Sequence, residues 1–324
     1  MNAIIIGGTG FIGYHTAQRL LNEGYNVTIT SRNAPPEGVF AAAIRWQKLD
    51  ITACSDAELC ALLRDNPYIV FAASADDRTL ATAPAADFFA RRNVQTVAQI
   101  VRCAEQTKAQ QTTQQHLIIW GSYFTYFERE WARMQLAAHH PYINSRKAQA
   151  AAAFASNTLI VSVLEIPYVI GHAPHLVPLW QPLVRYVNLP LPFVLFMRGG
   201  TAVVTVQQVA AATAYLFAQT LSGSFAVVSR NMTWHEWLTA LQRNPNKPLR
   251  VVQLPKILLK MCMFGAQLAL RASGKAAGLN PVALMDLQTS DTFLPTDFSE
   301  TVAAANPNLP DFEAVMREMV AVCV

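Results

Sequence analysis

The chain has 324 residues, 52% of them hydrophobic, and its 25 Lys and Arg against 21 Asp and Glu give a formal net charge of +4. This composition is typical of a globular protein of enzyme size. The basic residues are scattered rather than clustered, so we expect no nucleic-acid partner. The five cysteines show no C-x-x-C spacing, so we expect neither a disulfide framework nor a zinc site.

The first predicted strand begins within a few residues of the start, which leaves no room for a secretory leader, so we expect a cytoplasmic location. Two later stretches, 189–197 and 257–270, are apolar. Both are shorter than the ~20 residues of a membrane span, so we expect no integral membrane segment. A buried helix or substrate lid is the favoured interpretation of both stretches, and peripheral membrane contact is the less favoured one.

A run of three isoleucines predicts a buried strand, and Gly7, Gly10 and Gly13 follow it. An amphipathic helix is predicted over residues 14–23 and a second strand over residues 26–30. Gly7 lets the chain reverse, Gly10 lets a pyrophosphate approach the backbone, and Gly13 lets the helix pack close to the strand. The free N–H groups of the first helical turn face the anion, so this βαβ unit predicts a dinucleotide site.

The motif Gly7-Gly8-Thr9-Gly10-Phe11-Ile12-Gly13 resembles the extended and atypical short-chain dehydrogenase/reductases, including the NAD-dependent epimerase/dehydratase family. The resemblance implies an α/β fold with a Rossmann-type doubly wound parallel sheet and a smaller, mainly helical C-terminal lobe that binds substrate. We expect the dinucleotide-binding domain over residues 1–166, completed by a strand near 225–228, and the substrate lobe over residues 167–324. Extended members usually have Thr before the first glycine, whereas this chain has Ile6, as atypical members do.

The second strand leads into Ser31 and Arg32, where an NAD-specific fold would place a carboxylate for the ribose 2′-hydroxyl. A guanidinium there matches a 2′-phosphate through charge-assisted hydrogen bonds. NADP is therefore favoured as the cofactor over NAD. The alternative is that Arg32 is only a solvated loop charge.

Further cofactor contacts are implied by the family resemblance at later strand ends. A predicted third strand over residues 44–47 precedes a segment that resembles the family's adenine contact, and a fourth strand over residues 68–74 ends in small residues that leave space at the sheet edge. A loop after a strand over residues 159–166 would lie beside the nicotinamide. The predicted cofactor-binding residues are Gly7, Thr9, Gly10, Phe11, Ile12, Gly13, Ser31, Arg32, Asp50, Ile51, Ala72, Ala73, Ser74, Pro167 and Val169.

In active relatives a Tyr moves a proton, a Lys four residues later lowers its pKa, and a Ser or Thr on the preceding strand binds the substrate. Ser122 follows a predicted strand over residues 116–120, and Tyr142 opens an alanine-rich helix at the expected distance. Arg146 holds the Lys position, since it lies ~40° round the helix from Tyr142 whereas Lys147 lies ~140° round. The predicted catalytic residues are therefore Ser122, Tyr142 and Arg146.

The remaining chemistry-bearing residues give weaker predictions. His172 and His175 have H-x-x-H spacing without a third ligand, so polar pocket lining is favoured over a metal site. Glu165 either has a raised pKa or pairs with an arginine of the same site. A helix is predicted over residues 88–106, with Asn93 structural, and Thr233 and Glu236 predict a capping box.

These patterns together predict an NAD(P)-dependent oxidoreductase or epimerase/dehydratase. The substrate would be a small carbonyl, an alcohol or a nucleotide-sugar. The alternative is a non-catalytic NADP(H)-binding redox sensor or scaffold with a degenerate active site. The resemblance also implies a homodimer formed through helices that flank the sheet.

Overall fold

The computed structural model describes residues 1–108, 113–244 and 248–323. The strands are, in chain order, β1 (Asn2–Ile6), β2 (Asn26–Ser31), β3 (Arg45–Lys48), β4 (Tyr68–Phe71), β5 (Leu80–Thr82), β6 (His116–Trp120), β7 (Ile160–Glu165), β8 (Tyr168–Ile170), β9 (Val194–Phe196), β10 (Gly200–Thr205), β11 (Gly223–Ala226), β12 (Arg230–Thr233), β13 (Val251–Gln253), β14 (Lys275–Ala277) and β15 (Asp291–Thr292).

The α-helices are α1 (Phe11–Asn22), α2 (Asp56–Arg64), α3 (Ala85–Phe89), α4 (Thr96–Thr107), α5 (Phe124–Glu130), α6 (Leu136–His139), α7 (Pro141–Phe154), α8 (Gln181–Val187), α9 (Val206–Gln219), α10 (Trp234–Ala240), α11 (Lys256–Ala272), α12 (Pro281–Gln288), α13 (Asp297–Ala304) and α14 (Phe312–Val322). A π-helical segment (Ala90–Gln95) joins α3 to α4, and a short 3₁₀ helix (Ala132–Met134) precedes α6.

The main sheet has seven strands in the order β11-β7-β6-β4-β1-β2-β3. Its strand pairings are parallel throughout. The strand predicted near 225–228 is β11, which pairs with β7 through Gly223 opposite Ser162. The predicted Rossmann-type doubly wound sheet is confirmed.

Helices cover both faces of this sheet because its central strands are apolar on both sides. Along β1 the side chains alternate, so that Ala3 and Ile5 pack in a core cluster with α1 and α9, whereas Ile4 and Ile6 pack in a cluster with α2 and α4. All four are at most 1% exposed. The carboxyl ends of β1, β4 and β6 therefore meet at one edge between two helical layers.

The helix predicted over residues 88–106 is confirmed, although it is not one regular α-helix because the π-helical segment interrupts it. Asn93 lies in that segment and is fully buried. Its side-chain oxygen accepts a hydrogen bond from the backbone N–H of Ala75 at 2.7 Å, and its amide donates to Ser145 at 2.9 Å. Such a π-segment lets an interior amide reach backbone groups at the strand end, where sites are commonly built.

The second half of the chain carries a four-stranded sheet beside its helices. β10 pairs antiparallel with β12 and parallel with β8 and β15. β8 covers Tyr168–Ile170, so the loop predicted after residue 166 is a strand instead. The capping box of Thr233 and Glu236 opens α10 as predicted. Over the described ranges, no helix has both the length and the apolar character needed to cross a membrane.

Candidate functional site

The glycine-rich turn lies where β1 meets α1, and two of its glycines are required by close packing. Gly7 has φ +88°, and a Cβ added there would lie 2.9 Å from the Cα of Ala73. A Cβ added to Gly13 would lie 2.4 Å from the carbonyl oxygen of Gly8. Gly13 therefore lets α1 approach the turn itself, whereas Gly7 lets the turn approach the end of β4.

Gly10 differs from these two glycines because packing does not require it. A Cβ added there would meet no atom closer than the Gly7 carbonyl oxygen at 3.7 Å. Gly10 is the N-cap of α1 and has no side chain with which to cap the helix, so the first-turn N–H groups of Phe11, Ile12 and Gly13 are oriented toward the open space before it. This cradle fits the pyrophosphate of a dinucleotide.

A loop from the second half of the chain covers this turn. The His175 ring nitrogen Nε2 lies 2.9 Å from the carbonyl oxygen of Thr9, and the His15 Nε2 lies 2.7 Å from the carbonyl oxygen of His172. His172 and His175 thus hold the loop against the predicted cofactor site. In the part of the chain that the structure describes, no group of three His, Cys, Asp or Glu side chains could hold a metal ion.

The segments predicted to bind the adenosine part lie together at the ends of β2 and β3. The Ser31 hydroxyl accepts a hydrogen bond from the indole N–H of Trp46 at 2.9 Å. Arg32 is exposed, and its charge reaches Asp50. The Asp50 carboxylate accepts hydrogen bonds from the hydroxyl and backbone N–H of Thr52 at 2.7 and 3.0 Å, which lower the pKa of Asp50.

A groove of about 620 Å³ opens beside Asp50, and it is polar and basic. Ile51 lines it, together with Arg91, Arg92 and Arg102. The charge of Arg92, like that of Arg32, helps to lower the pKa of Asp50. Positive charge from two separate elements therefore surrounds the predicted adenine contact, which suits an anionic adenosine phosphate.

The predicted catalytic residues converge at the carboxyl end of β6. Ser122, Tyr142 and Arg146 are all buried, with 5%, 5% and 7% exposure. The Arg146 guanidinium carbon lies 5.1 Å from the centre of the Tyr142 ring. Burial raises the pKa of Tyr142 above its ordinary value, while the Arg146 charge and hydrogen bonding to Ser122 and Arg146 oppose that rise. Tyr142 is therefore protonated at neutral pH.

Arg146 is also held by the strand ends on which the site is built. Its guanidinium donates to the carbonyl oxygen of Trp120 at 3.3 Å and to the Gln149 side chain at 3.0 Å. The Gln149 amide donates in turn to the hydroxyl of Ser74 at 2.9 Å. One network thus joins the predicted catalytic cation to a predicted cofactor contact, and it stiffens the edge where β4 and β6 end.

Asp77 faces the same site, although the sequence did not predict it to be a site residue. It lies six residues after the end of β4, and its charge acts on Tyr142, Tyr168 and Arg146. Burial and the neighbouring Asp76 carboxylate raise the pKa of Asp77 to about 7. The signal in the sequence was a pair of acids following small residues at a strand's carboxyl end, where ligands bind in open α/β sheets.

The residues predicted to lie beside the nicotinamide are found where the chain passes from the seven-stranded sheet to the four-stranded sheet. Pro167 is buried between β7 and β8, and Val169 lies in β8 with 6% exposure. The Val169 carbonyl oxygen accepts a hydrogen bond from the indole of Trp180 at 2.7 Å. Ala72 and Ala73 directly follow β4 and are half-buried beside Gly7. These placements bring the predicted contacts to one edge of the sheet, and their roles remain predictions.

Lys147 and Glu165 lie in a groove separate from the predicted catalytic residues. Lys147 pairs with Glu128 at 2.9 Å, and Glu165 pairs with Arg129 at 2.5 Å. These side chains line a groove of about 1120 Å³ that contains none of the predicted catalytic residues. Of the two interpretations of Glu165, the structure supports pairing with an arginine, and it places that pair in this groove rather than beside Tyr142.

Comparison with known proteins gives a family match for the first part of the chain. Residues 3–149 match the model of the NAD dependent epimerase/dehydratase family. The resemblance inferred from the glycine-rich motif is thereby confirmed. No curated protein sequence matches the chain.

Solved structures resemble the chain over nearly its full length. The Bordetella bronchiseptica enzyme WbmH, in complex with NAD+, is 15% identical with a TM-score of 0.66 over 99% of this chain and 97% of that one. Human epimerase family protein SDR39U1 isoform 2, with NADPH, is 15% identical with a TM-score of 0.66 over 99% of each chain. The Bacillus cereus UDP-glucuronic acid 4-epimerase, in complex with UDP-glucuronic acid and NAD, is 12% identical with a TM-score of 0.63 over 100% of this chain and 99% of that one. At these identities the likeness shows the fold.

Proposed function

From the family match over residues 3–149, we propose that the chain is an NAD(P)-dependent oxidoreductase or epimerase/dehydratase acting on a small carbonyl, an alcohol or a nucleotide-sugar. The observation that carries this proposal is the convergence of Ser122, Tyr142 and Arg146 at the edge of the sheet where the glycine-rich turn also lies. These three polar side chains are at most 7% exposed. Burying such groups costs free energy, and clusters of them in folded proteins are often functional sites. The bound dinucleotide would supply hydride transfer.

Residues of the chain would orient the substrate, donate the proton and stabilise the charge that proton donation leaves. The Ser122 hydroxyl orients the substrate oxygen, and Tyr142 gives that oxygen a proton. Because burial keeps Tyr142 protonated at neutral pH, the site is better suited to reduce a carbonyl than to oxidise an alcohol. Arg146 supplies the positive charge that stabilises a tyrosinate left after proton donation, and its bonds to Trp120 and Gln149 fix its position.

NADP(H) is the cofactor that we propose, and NAD(H) is the alternative. Arg32 follows β2, where an acid would select NAD, and its charge reaches the Asp50 segment. The basic groove lined by Arg91, Arg92 and Arg102 adds positive charge at the same end. We also propose a cytoplasmic location and a homodimer, in keeping with the family resemblance.

The test of the catalytic assignment is Tyr142→Phe, with Tyr126→Phe as the matched control, since Tyr126 lies on α5 with its ring against Arg129. Turnover is measured by NADPH absorbance across a panel of aldehydes, ketones and nucleotide-sugars, with product analysis to detect redox-neutral epimerisation. We expect a loss of about 10²- to 10⁴-fold for Tyr142→Phe with nearly unchanged cofactor affinity, because the phenol hydroxyl moves the proton and other residues bind the dinucleotide. Equal turnover of the two variants would contradict the proposed role.

A second candidate function is a non-catalytic NADP(H)-binding sensor or scaffold. Two observations favour it: Arg146 replaces the lysine that active relatives use, and the Tyr142 pKa is raised rather than lowered. Arg146→Lys separates the candidates, because a lysine cation restores the usual pair in an enzyme. Measurable turnover that Arg146→Lys preserves or increases supports the enzyme, whereas tight NADP(H) binding with no turnover across the panel supports the sensor.

A further inference from the structure

α11 leaves much of its apolar surface uncovered, unlike a helix that packs its whole apolar stripe on a protein core. Its two lysines point inward, where Lys256 and Lys260 pair with Asp286 of α12 at 2.5 and 2.7 Å. Leu259, Met263 and Leu270 are half-buried, whereas the other long apolar side chains of the helix point outward, and none of its residues is buried. The outward surface, called here the α11 face, consists of Ile257, Leu258, Met261, Phe264 and Leu268, which are 73, 42, 67, 53 and 48% exposed.

A second exposed apolar segment adjoins the α11 face. β9 pairs with β13, and β13 leads into α11 after two residues. Around β9, the side chains of Leu189, Leu191, Phe193 and Leu195 are 46, 50, 40 and 43% exposed. The pairing thus brings the apolar stretch around β9 near the start of α11. A patch of this extent marks an interaction site rather than ordinary scatter.

The charge of this part of the chain identifies the kind of partner. Residues 166–285 contain ten Lys and Arg but a single acid, Glu236, whereas the rest of the chain contains 15 Lys and Arg and 20 Asp and Glu. Arg198, Arg250, Arg271 and Lys275 are exposed at the ends of the apolar segments. An apolar surface with exposed cations at its margins matches an anionic lipid surface, which attracts cations and accepts apolar side chains at its boundary.

We propose that the α11 face docks on the surface of a lipid bilayer that contains anionic lipids. The 17 residues of α11 are about 25 Å long, so the helix lies in the interface plane and does not cross the bilayer. Two copies joined through this face would bring the exposed Arg and Lys side chains at its margins together, and the nearby Asp286 is already paired with Lys256 and Lys260, which disfavours self-association there. The docking is independent of the reaction that the catalytic site performs.

The full-length protein is tested by flotation with vesicles of phosphatidylcholine and phosphatidylglycerol at a 3:1 ratio, and with phosphatidylcholine alone. We expect binding to the mixed vesicles, weakened at 0.5 M NaCl and on phosphatidylcholine alone. The variant Ile257→Gln/Met261→Gln/Phe264→Gln should lose at least tenfold in partitioning and keep its thermal midpoint, because its changed side chains are exposed. Phe154→Gln, which alters a side chain of 42% exposure on the other half of the chain, is the control and should bind as wild type.

Cys262 offers a second measurement, because it is exposed on α11 while the other cysteines are partly or fully buried. A polarity-sensitive fluorophore on Cys262 should shift to shorter wavelength with mixed vesicles. No flotation at millimolar lipid, or equal flotation of the triple variant and wild type, would overturn the proposal. A wild-type dimer that the triple variant converts to a monomer, measured by light scattering without lipid, would overturn it too, since a second copy would then cover the face.

Discussion

Gly10→Ala isolates the dinucleotide site from the fold that carries it. Gly10 has φ −76° and ψ 177°, which alanine adopts without strain, and an added Cβ meets nothing closer than 3.7 Å. The new methyl group would therefore occupy only the open space before the first turn of α1. If the pyrophosphate lies in that space, the substitution removes binding and leaves folding intact.

The magnitudes follow from this geometry. Replacing an N-cap glycine by alanine costs ~1 kcal/mol, and the restriction of the unfolded chain by alanine offsets about 0.4–1 kcal/mol of that cost, so the free energy of unfolding should change by less than about 1 kcal/mol. A methyl group against a phosphate should weaken affinity at least tenfold, or ~1.4 kcal/mol. Gly13→Ala should behave differently, because its Cβ would lie 2.4 Å from the Gly8 carbonyl oxygen. Overpacking of that kind costs ~1–3 kcal/mol of stability.

The assay is a calorimetric titration with NADPH and with NADH, paired with denaturant unfolding of the same preparations. Gly265→Ala is the control, since nothing lies within 4 Å of a Cβ added there. It should leave both affinities unchanged. Wild-type NADPH affinity in Gly10→Ala would refute the reasoning, because the phosphate could not then rest on this turn.

Three further outcomes are expected. Arg32→Ala should weaken NADPH binding at least tenfold and leave NADH binding unchanged by calorimetry, whereas an equal loss of both would show that Arg32 does not meet the 2′-phosphate. Carbonyl reduction should keep a level rate from pH 8 to 9 if Tyr142 is the donor, because its raised pKa keeps it protonated there and Asp77, whose pKa is about 7, is already largely ionised; a rate that falls through this range would contradict that role. Burial lowers the pKa of His116 and of His140 to about 4. The unfolded chain therefore binds more protons between pH 6.5 and 4, so the free energy of unfolding should fall by about 3 kcal/mol for each histidine as the pH drops through that range. In urea melts His116→Gln should remove its share of that loss, and an unchanged loss would show that His116 is not the titrating group.

Local signals in the sequence were enough to predict the core of the fold. The three isoleucines, the glycine-rich turn and the amphipathic helix lie within the first 22 residues, and the structure forms β1 and α1 there. Spacing along one helix likewise predicted that Tyr142 and Arg146 share a face, and they do. These features depend on neighbours in the chain, so their periodicity carries the information.

Tertiary structure decided the features that depend on contacts between distant segments. Asp77 reaches Tyr168 and Arg146 only because β4, β6 and β7 end at one edge of the sheet. The π-helical segment exists where Asn93 meets Ala75 and Ser145, which no periodicity shows.

The orientation of α11 was decided in the same way. The sequence favoured a buried helix or a lid there, because apolar residues ordinarily face a core. In the structure Asp286 pairs with both lysines, and five large apolar side chains of the helix are left exposed while Leu259, Met263 and Leu270 are half-buried. A hydrophobic pattern shows which residues share a face of a helix, but the charge that lies across from the helix decides which face turns toward the protein.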